Sequence, residues 1–210
     1  MTSSLAYADY DEDTVDRSTY TFTSMGLGAA DSDRFILVAV QGAESGVTTS
    51  YAPTSVTVGG QSATKLLNAG VQDSDFNVYS LWRAAVPTGT TGNVVVVWSR
   101  TIANCSAATL RLIHATGTVS DSDTTAGSDP ETTGSLTLPS DGVGLACGGG
   151  WETTGGGGPT HSWSGSGAVT ELWDQANGFS GNSGCSIDAT GTVTLNSSGD
   201  YAVVLAATWD

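Results

Sequence analysis

Short apolar or alternating runs recur along the whole chain, and glycine, proline or small polar residues end each run. The strongest runs cover residues 34–40, 94–98 and 201–209 and are rich in β-branched and other apolar residues. This composition favours strands. Because no polar residue interrupts residues 94–98, we expect both faces of that strand to be buried. The pattern predicts about a dozen strands and no helix.

Two glycines, Gly59 and Gly60, separate the alternating residues 55–58 from residues 62–66. Paired glycines adopt the positive φ angles that a two-residue hairpin turn requires. We therefore expect a β-hairpin at this point. Residues 116–133 and 148–158 are instead rich in Ser, Thr, Asp and Gly, which predicts exposed loops.

The regular spacing of strands and turns predicts an all-β fold, an antiparallel β-sandwich of jelly-roll-like or concanavalin-like type. No clear linker divides it, so residues 18–210 are predicted to form a single sandwich domain. Residues 1–17 are acidic and poorly periodic. We expect them to form an acidic N-terminal arm, mobile or bound to a partner, with Tyr7 and Tyr10 as its apolar contacts.

The chain carries 21 acidic and 6 basic residues, a formal net charge of −15. Nucleic-acid binding requires clustered Lys and Arg, which the sequence lacks, so we expect no nucleic-acid partner. The negative charge also repels anionic lipids, and no apolar stretch has the length of a membrane span. The first residues lack the basic and apolar regions of a secretion signal, which predicts assembly in a cytoplasm.

Three cysteines, Cys105, Cys147 and Cys185, lie far apart in the sequence. They form no CxxC pair and no histidine-flanked pattern, so no metal site is predicted. We expect them to be small buried side chains of strands. A disulfide between Cys147 and Cys185 stays an alternative, although a reducing cytoplasm disfavours it.

Residues that usually carry catalysis are sparse. The two histidines are His114 and His161, and no GxSxG motif is present, which favours structural or solvated rings over a Ser–His–Asp triad. Glu171 and Asp174 are the nearest candidates for a glycosidase carboxylate pair. A strand places residues three apart on opposite faces, however. The sequence therefore predicts no catalytic residue and no cofactor.

The tripeptide Asp-Ser-Asp occurs at residues 31–33, 73–75 and 121–123. Carboxylates two residues apart in a loop can converge on calcium. Ser and Asp are also ordinary turn residues, and no full calcium-loop pattern accompanies them. The turn interpretation is favoured, and calcium binding is left open.

Three tryptophans, Trp151, Trp163 and Trp173, lie close together in a glycine-rich part of the sequence. Exposed tryptophans on a β scaffold can stack on sugar rings. They can also anchor an interface, where Trp is over-represented, or fill the end of a core. We expect core or interface contacts rather than sugar contacts, and we retain all three residues, with Tyr7 and Tyr10, as candidate partner or glycan contacts.

The segments TFTSMGLGAADSDRFILVAV, SVTVGGQSATKL, VYSLWRAAVPTGTTGNVVVVWS and YAVVLAATW follow one another in the chain. Together they resemble a group of β-sandwich virion proteins encoded by tailed bacteriophages and prophage-like elements. The shared features are a strand after Leu-Gly-x-Ala and a later Arg, a Val-Gly-Gly hairpin, and a Val-Pro-Thr-Gly-Thr-Thr-Gly turn. The resemblance is weakest over residues 116–195. Its motifs are structural, so it transfers no catalytic residue.

The resemblance implies a non-enzymatic virion structural protein, displayed on the capsid as a decoration protein or as a head fibre or spike. Its partners would be the major capsid protein or neighbouring head or tail subunits, and further copies of itself in a homo-oligomer. Assembly would take place in the host cytoplasm, and the mature location would be the virion. The alternative is a carbohydrate-binding module of a head fibre or tail tip that contacts a host surface glycan.

Overall fold

The structure is a computed structural model that describes residues 2–47, 51–72, 75–152, 158–177 and 180–210. Within these ranges the chain forms seventeen strands and no helix, so the predicted all-β class is confirmed. The strands are β1 (Ser4–Asp13), β2 (Arg17–Gly26), β3 (Phe35–Glu44), β4 (Pro53–Val58), β5 (Gln61–Ser62), β6 (Thr64–Gln72), β7 (Phe76–Ala85), β8 (Thr91–Ile102), β9 (Asn104–Ile113), β10 (Asp121–Ser128), β11 (Glu131–Thr132), β12 (Val143–Trp151), β13 (His161–Ser164), β14 (Val169–Asn177), β15 (Ser180–Ile187), β16 (Thr194–Ser197) and β17 (Tyr201–Trp209).

The strands form four antiparallel sheets, which we name A to D. Sheet A has the order β1-β9-β3-β7-β6, and sheet B has the order β2-β8-β4-β5. Sheet C has the order β10-β17-β12-β15-β14, and sheet D has the order β11-β16-β13. The expected sandwich is therefore built from more sheets than the two of a simple sandwich.

The sheets are stacked in the order B, A, C, D, with a hydrophobic core between each neighbouring pair. Alternate residues of β3 face different cores: Ile36 packs in the first core, against sheet B, and Leu37 in the second, against sheet C. In β17, Leu205 packs in the second core and Val204 in the third, against sheet D. The molecule is thus two sandwiches stacked face to face, with sheets A and C in the interior.

The place of a sheet in the stack decides whether its strands are buried on one face or on both. β3 lies in interior sheet A, and its residues 36–43 are all buried. β8 lies in outer sheet B, where Val94 and Val96 are buried but Val95 and Val97 are partly exposed. The expectation that both faces of β8 are buried is therefore wrong, because only its inner face meets a core.

The two halves of the chain, β1–β9 and β10–β17, have the same topology. The order β1-β9-β3-β7-β6 of sheet A corresponds strand for strand to β10-β17-β12-β15-β14 of sheet C, and β2-β8-β4 of sheet B corresponds to β11-β16-β13 of sheet D. A bulge also recurs at the matching place, between Lys65 and Leu67 in β6 and between Glu171 and Trp173 in β14. The halves are therefore structural repeats of one unit.

An aspartate on the edge strand of each half makes the same pair of hydrogen bonds. Asp9 of β1 accepts from the N–H of the next residue at 2.9 Å and from that of Gly26 at 2.7 Å. Asp123 of β10 accepts from the next N–H at 2.8 Å and from that of Gly134 at 2.6 Å. In both halves the carboxylate ties the edge of an interior sheet to the chain segment that leads to or from an outer sheet.

Sheets A and C face each other with their strand orders reversed. β1 packs against β14, and β6 packs against β10. Since β14 is the counterpart of β6 and β10 is the counterpart of β1, an approximate twofold axis relates the halves. The second core, which lies on this axis, is thus an interface between two repeats of one chain.

Two polar regions contain strands that the sequence did not predict. The predicted arm is instead, over Ser4–Asp13, an edge strand that pairs with β9 along its length. The predicted loop at residues 116–133 contains β10 and β11, whereas the strand expected at residues 134–138 contributes one bridge, from Leu136 to Gly191. Edge strands carry polar residues on exposed positions, so the hydrophobic pattern misses them.

The predicted hairpin at Gly59 and Gly60 is confirmed. Their φ angles are 56° and 81°, and they join β4 to β5 with Val58 opposite Gln61. Two consecutive positive φ angles are typical of a type I′ turn, and only glycine adopts them without strain.

The three cysteines are buried and free, as small core side chains. Cys147 and Cys185 lie on neighbouring strands of sheet C, but Cys147 faces the second core and Cys185 the third. The alternative disulfide between them is therefore not formed. Burial raises the pKa of the Cys147 thiol to about 12, which makes it a poor nucleophile.

One buried cation organises the loops at the end of sheet A. Arg34 is 1% exposed, and its guanidinium donates hydrogen bonds to the backbone carbonyls of Leu27, Gly28, Val86, Thr88 and Gly89. These carbonyls belong to the Leu-Gly-x-Ala and Val-Pro-Thr-Gly-Thr segments on which the phage resemblance rests. The motif arginine therefore has a structural role, the fixing of two loops against each other.

Candidate functional site

A cavity of about 300 Å³ opens at one end of the interior sheets, where β3 and β12 end and β9 begins. Its lining residues are Ala43, Glu44, Ser45, Asp75, Ala103, Asn104, Trp151 and Glu152. This volume lies at the small end of the range for small-molecule sites, about 300–1,000 Å³. We treat the cavity as the candidate ligand site.

The wall of the cavity is negative. Glu44, Asp75 and Glu152 contribute carboxylates, and the lining residues that the structure describes include no Lys or Arg. Burial, assisted by the nearby charge of Asp16, raises the pKa of Glu44. Such a wall offers hydrogen-bond acceptors to a hydroxyl-rich or cationic ligand and repels phosphates and carboxylates. Among the described residues, no group of three His, Cys, Asp or Glu is placed to hold a metal ion.

Behind the cavity, a buried polar network joins sheet A to sheet C. The Nε2 atom of Gln41 lies 3.0 Å from Asn77 Oδ1 and 2.9 Å from Ser180 Oγ. Ser106 Oγ donates to Gln41 Oε1 at 3.2 Å and accepts from Asn182 Nδ2 at 3.1 Å. A buried polar group that loses its partner costs about 1–3 kcal/mol. The network therefore fixes the register of the two halves against each other.

The network reaches the cavity wall and the edge strand. Asn104 Oδ1, on the cavity wall, lies 3.3 Å from Gln41 Nε2. Tyr10 of β1 packs beside Ser106, and its hydroxyl donates to Glu12 Oε2 at 2.9 Å. Burial raises the pKa of Tyr10 far above its ordinary value. Tyr10 therefore packs against the second core, which limits its use as an anchor for another protein.

Two of the predicted contact residues, Tyr7 and Trp173, stack on each other. Their ring centroids are 5.8 Å apart and their planes differ by 15°. Tyr7 is 37% exposed and Trp173 is 5% exposed, and the Trp173 indole donates to Asn182 Oδ1 at 3.1 Å. The stack closes the seam between β1 and β14. Tyr7 keeps exposed surface that another protein could contact.

The other two predicted tryptophans lie elsewhere. Trp151 is 9% exposed and lines the cavity. Trp163 packs against the third core, and its indole donates to Ser183 Oγ at 2.7 Å. The three tryptophans therefore form no common platform, and their burial favours core contacts over sugar stacking.

His161 links three strands through both of its ring nitrogens. Its side chain is fully buried. The N–H of Gly150 donates to Nε2 at 2.9 Å, so Nε2 carries no proton, and Nδ1 donates to Asp174 Oδ1 at 2.6 Å. With both nitrogens engaged, the ring has no free position for activating a nucleophile. This matches the predicted structural role of His161.

His114 forms a second pair with an aspartate, at the surface. Its Nδ1 lies 2.8 Å from Asp33 Oδ2, and its backbone N–H donates to the same oxygen at 3.1 Å. Hydrogen bonding to Asp31, with a further contribution from His114, lowers the pKa of Asp33. The pair fixes the chain at the end of β9, where His114 has a φ of 57°.

The Asp-Ser-Asp tripeptides have different surroundings. Asp121 and Asp123 lie in β10, and each carboxylate accepts two backbone N–H bonds. Asp31 accepts from the N–H of Asp33 at 3.4 Å, as in a turn. In the third tripeptide Asp75 accepts from the N–H of Gly46, and Asp73 lies outside the described residues. Each described carboxylate therefore accepts a backbone N–H bond, and Asp31 and Asp33 also contact the side chains of Arg111 and His114. The backbone bond of Asp31 agrees with the turn interpretation for residues 31–33.

Comparisons of the chain with protein-family models, with curated proteins and with solved structures find no match. Across the described ranges, no helix is long and apolar enough to span a membrane.

Proposed function

We propose that the protein is a non-enzymatic structural component of a tailed-bacteriophage particle, displayed on the capsid as a decoration protein or as a head fibre or spike. Arg34 carries the proposal. Its guanidinium joins two of the four segments that resemble phage virion proteins, through five carbonyls. The resemblance thus rests on residues that build the scaffold, as expected for a protein whose role is architectural.

The surface near the N-terminus supports docking on another particle protein. Asp11 and Glu12 are exposed on β1, and Tyr7, earlier on the same strand, adds exposed aromatic surface. Paired with β9, this strand presents its carboxylates on a rigid edge, so docking requires little ordering of the chain. A basic surface of the major capsid protein or of a neighbouring subunit would complement it.

The experiment uses phage particles that lack the protein and adds it back in purified form. Deletion of residues 2–17 is unsuitable, because it removes β1 from sheet A. Asp11→Lys with Glu12→Lys reverses the charge without removing the strand, and Asp210→Lys makes the same kind of change at the last residue. We expect the double variant to lower occupancy at least tenfold and Asp210→Lys to leave it unchanged. Failure of the unaltered protein to bind such particles would overturn the proposed role.

A second candidate function, glycan binding, is favoured by the cavity. Trp151 and Asn104 combine an aromatic edge with an amide, and the surrounding carboxylates accept hydrogen bonds from hydroxyl groups. A glycan array tests it with Glu44→Gln and Glu152→Gln, which alter the cavity wall. Trp163→Phe, in the third core, is the control. Saturable binding that the cavity variants lose and the control keeps would support this candidate. An array without binding would remove it.

A further inference from the structure

Over Thr19–Thr23 of β2, Asn93–Ser99 of β8 and the whole of β4 and β5, the outward side chains of sheet B are uncharged, although the chain has a net charge of −15. The charged residues of these strands, Arg17 and Arg100, lie near the ends of β2 and β8. Side chains along β8, β2 and β4 alternate between the two faces of the sheet. The inward ones, such as Val96, Tyr20 and Val56, point into the first core. The outward side chains are Thr19, Thr21, Thr23, Ser55, Thr57, Ser62, Asn93, Val95, Val97 and Ser99. The described carboxylates lie on the edge strands of sheets A, C and D, at strand ends and in loops. This neutral surface, which we call the sheet B face, is where another copy can approach with the least repulsion.

The sheet B face has an apolar centre and a polar rim. Val95 lies between Thr21 and Thr57, and Val97 lies between Thr19 and Ser55, in two cross-strand rows. Both valines are partly exposed. The centre of a protein interface is likewise apolar and depleted of charge, with a polar rim. Hydroxyl groups donate and accept, so the same rim can complement itself.

We propose that the sheet B face binds the same face of a second copy of this chain, forming a twofold-symmetric dimer. A contact in which both copies use one patch closes after two subunits. A surface that includes β1, β10, β11 or β14, or one of the acidic loops, would bring the carboxylates of the two copies together. The sheet B face avoids that juxtaposition.

The size of the face predicts weak association. Seven residues of β8, from Asn93 to Ser99, extend about 20 Å, and four strands about 4.8 Å apart cover about 19 Å. The flat area is therefore roughly 400 Å² per copy, below the ~800 Å² per partner of a standard interface. We expect a dissociation constant on the order of 10–100 µM.

Sheet D supplies a matched control, because it is the counterpart of sheet B in the second half. Its central strand presents Thr194 and Asn196 outward, where β8 presents Val95 and Val97. Thr194 Oγ1 lies 2.9 Å from Thr132 Oγ1, and Asn196 Nδ2 lies 3.3 Å from Ser164 Oγ. Without an apolar centre, this face is not expected to associate.

Sedimentation equilibrium of the purified chain, from about 5 µM to about 500 µM, tests the proposal. The mass should rise from the 21.2 kDa monomer towards the dimer. Salt should tighten the dimer, since it screens repulsion between two acidic copies. Thr21→Asp and Val97→Asp should each weaken association more than about 100-fold, because each places two charges, one from each copy, in a contact that dimerisation desolvates. Asn196→Asp should change it less than about threefold.

Thr21 is exposed, so Thr21→Asp should fold, and far-UV circular dichroism checks that each variant does. A monomer at every concentration and salt would overturn the proposal. So would a dimer that tolerates both sheet B variants, equal loss in Asn196→Asp, or association that salt weakens. A mass beyond the dimer would overturn the twofold pairing. These measurements need no phage particle, so their result is independent of the proposed virion role.

Discussion

The two halves of the molecule share one topology but fill their cores with different side chains. In the first half, β3 reads FILVAVQGAE, whereas its counterpart β12 in the second half reads VGLACGGGW. The glycines of the second half leave space that the backbone and side chains of other strands occupy. The Gly181 carbonyl and the Tyr79 hydroxyl, for example, lie where a side chain at Gly149 would be. The two halves therefore keep one topology because their patterns of polarity and turns agree. The side chains that fill a core can come from different strands in each half.

One matching pair of positions shows this exchange directly. In the first half, Leu67 and Leu81 face each other across β6 and β7. At the corresponding place beside the bulge of β14, Trp173 faces Gly184 of β15. Two leucine side chains in the first half thus correspond to one tryptophan side chain and a glycine in the second half. Volume-conserving exchanges of this kind are what a close-packed core tolerates best.

The largest effect is expected at the centre of the first core. Val96 is fully buried, and Val96→Asp places an unpaired charge there, at a cost comparable to the whole stability of a domain, more than about 5 kcal/mol. We expect no folded protein by circular dichroism. Val95→Asp, one residue away on the exposed face, should fold. A soluble, folded Val96→Asp protein would contradict the inner position of this residue.

The next largest loss of stability is expected at Arg34, which has no cationic counterpart in the second half. The register of β3 and β12 places Gly142, which has no side chain, at the matching position in the second half. Arg34→Met leaves several buried carbonyls without donors, which should lower the free energy of unfolding by about 4 kcal/mol or more. Arg83→Met, which removes a cation 4.9 Å from the Phe35 ring, should cost at most about 1 kcal/mol. Urea unfolding measures both, and equal losses would contradict the role of Arg34.

Interior strands could be predicted from the sequence, and the repeat could not. β3 and β17 are apolar on both faces, so their pattern is unmistakable, whereas β1 and β10 are polar edge strands held by aspartates. The halves share polarity and topology but few residues. A Thr-Gly-Thr before β8 and before β16, at residues 88–90 and 190–192, is one trace of the repeat in the sequence. The layer order follows from contacts between distant strands, which periodicity does not encode.

The candidate site was only partly predictable. Trp151 was proposed from residue type, and it lines the cavity. Glu44, Asp75 and Asn104 come from different strands and loops, and no local spacing links them. Gln41 did leave a signal, because it is a polar residue in an otherwise apolar strand. A buried amide in such a strand needs partners, and the network provides them.

A moderate effect is expected at Gly184. A Cβ atom there would overlap the Trp173 ring, so Gly184→Ala should cost about 1–3 kcal/mol by overpacking. Trp173→Leu replaces the ring with the smaller side chain found at the matching position, Leu67. In that background Gly184→Ala should cost less than about 0.5 kcal/mol, and the difference is the coupling between the two positions. Additive losses in urea unfolding would show that the two side chains do not share this space.

The smallest expected change in stability distinguishes the two His–Asp pairs, one of which lies in each half. The His161 ring is buried, whereas the His114 ring and Asp33 are partly exposed. Burial opposes ionisation of Asp174, but its hydrogen bonds with the ring and the backbone N–H of His161 lower its pKa below the ordinary 3.8. A carboxyl with a lowered pKa in the folded state binds fewer protons there than in the unfolded chain. Its contribution is therefore complete above about pH 5 and is lost as the pH falls through the folded pKa.

Asp174→Asn should accordingly lower stability by about 1–2 kcal/mol at neutral pH and flatten the acid limb of the stability curve. Asp33→Asn is the matched change in the exposed pair, where solvent screens the interaction, and it should leave that limb nearly unaltered. Urea unfolding between about pH 2 and pH 7 distinguishes them. A steeper acid loss in Asp174→Asn, or equal flattening in both variants, would show that burial does not set the difference between the pairs. The stronger His–Asp contact would then lie in the second half, whose strands carry the smaller side chains.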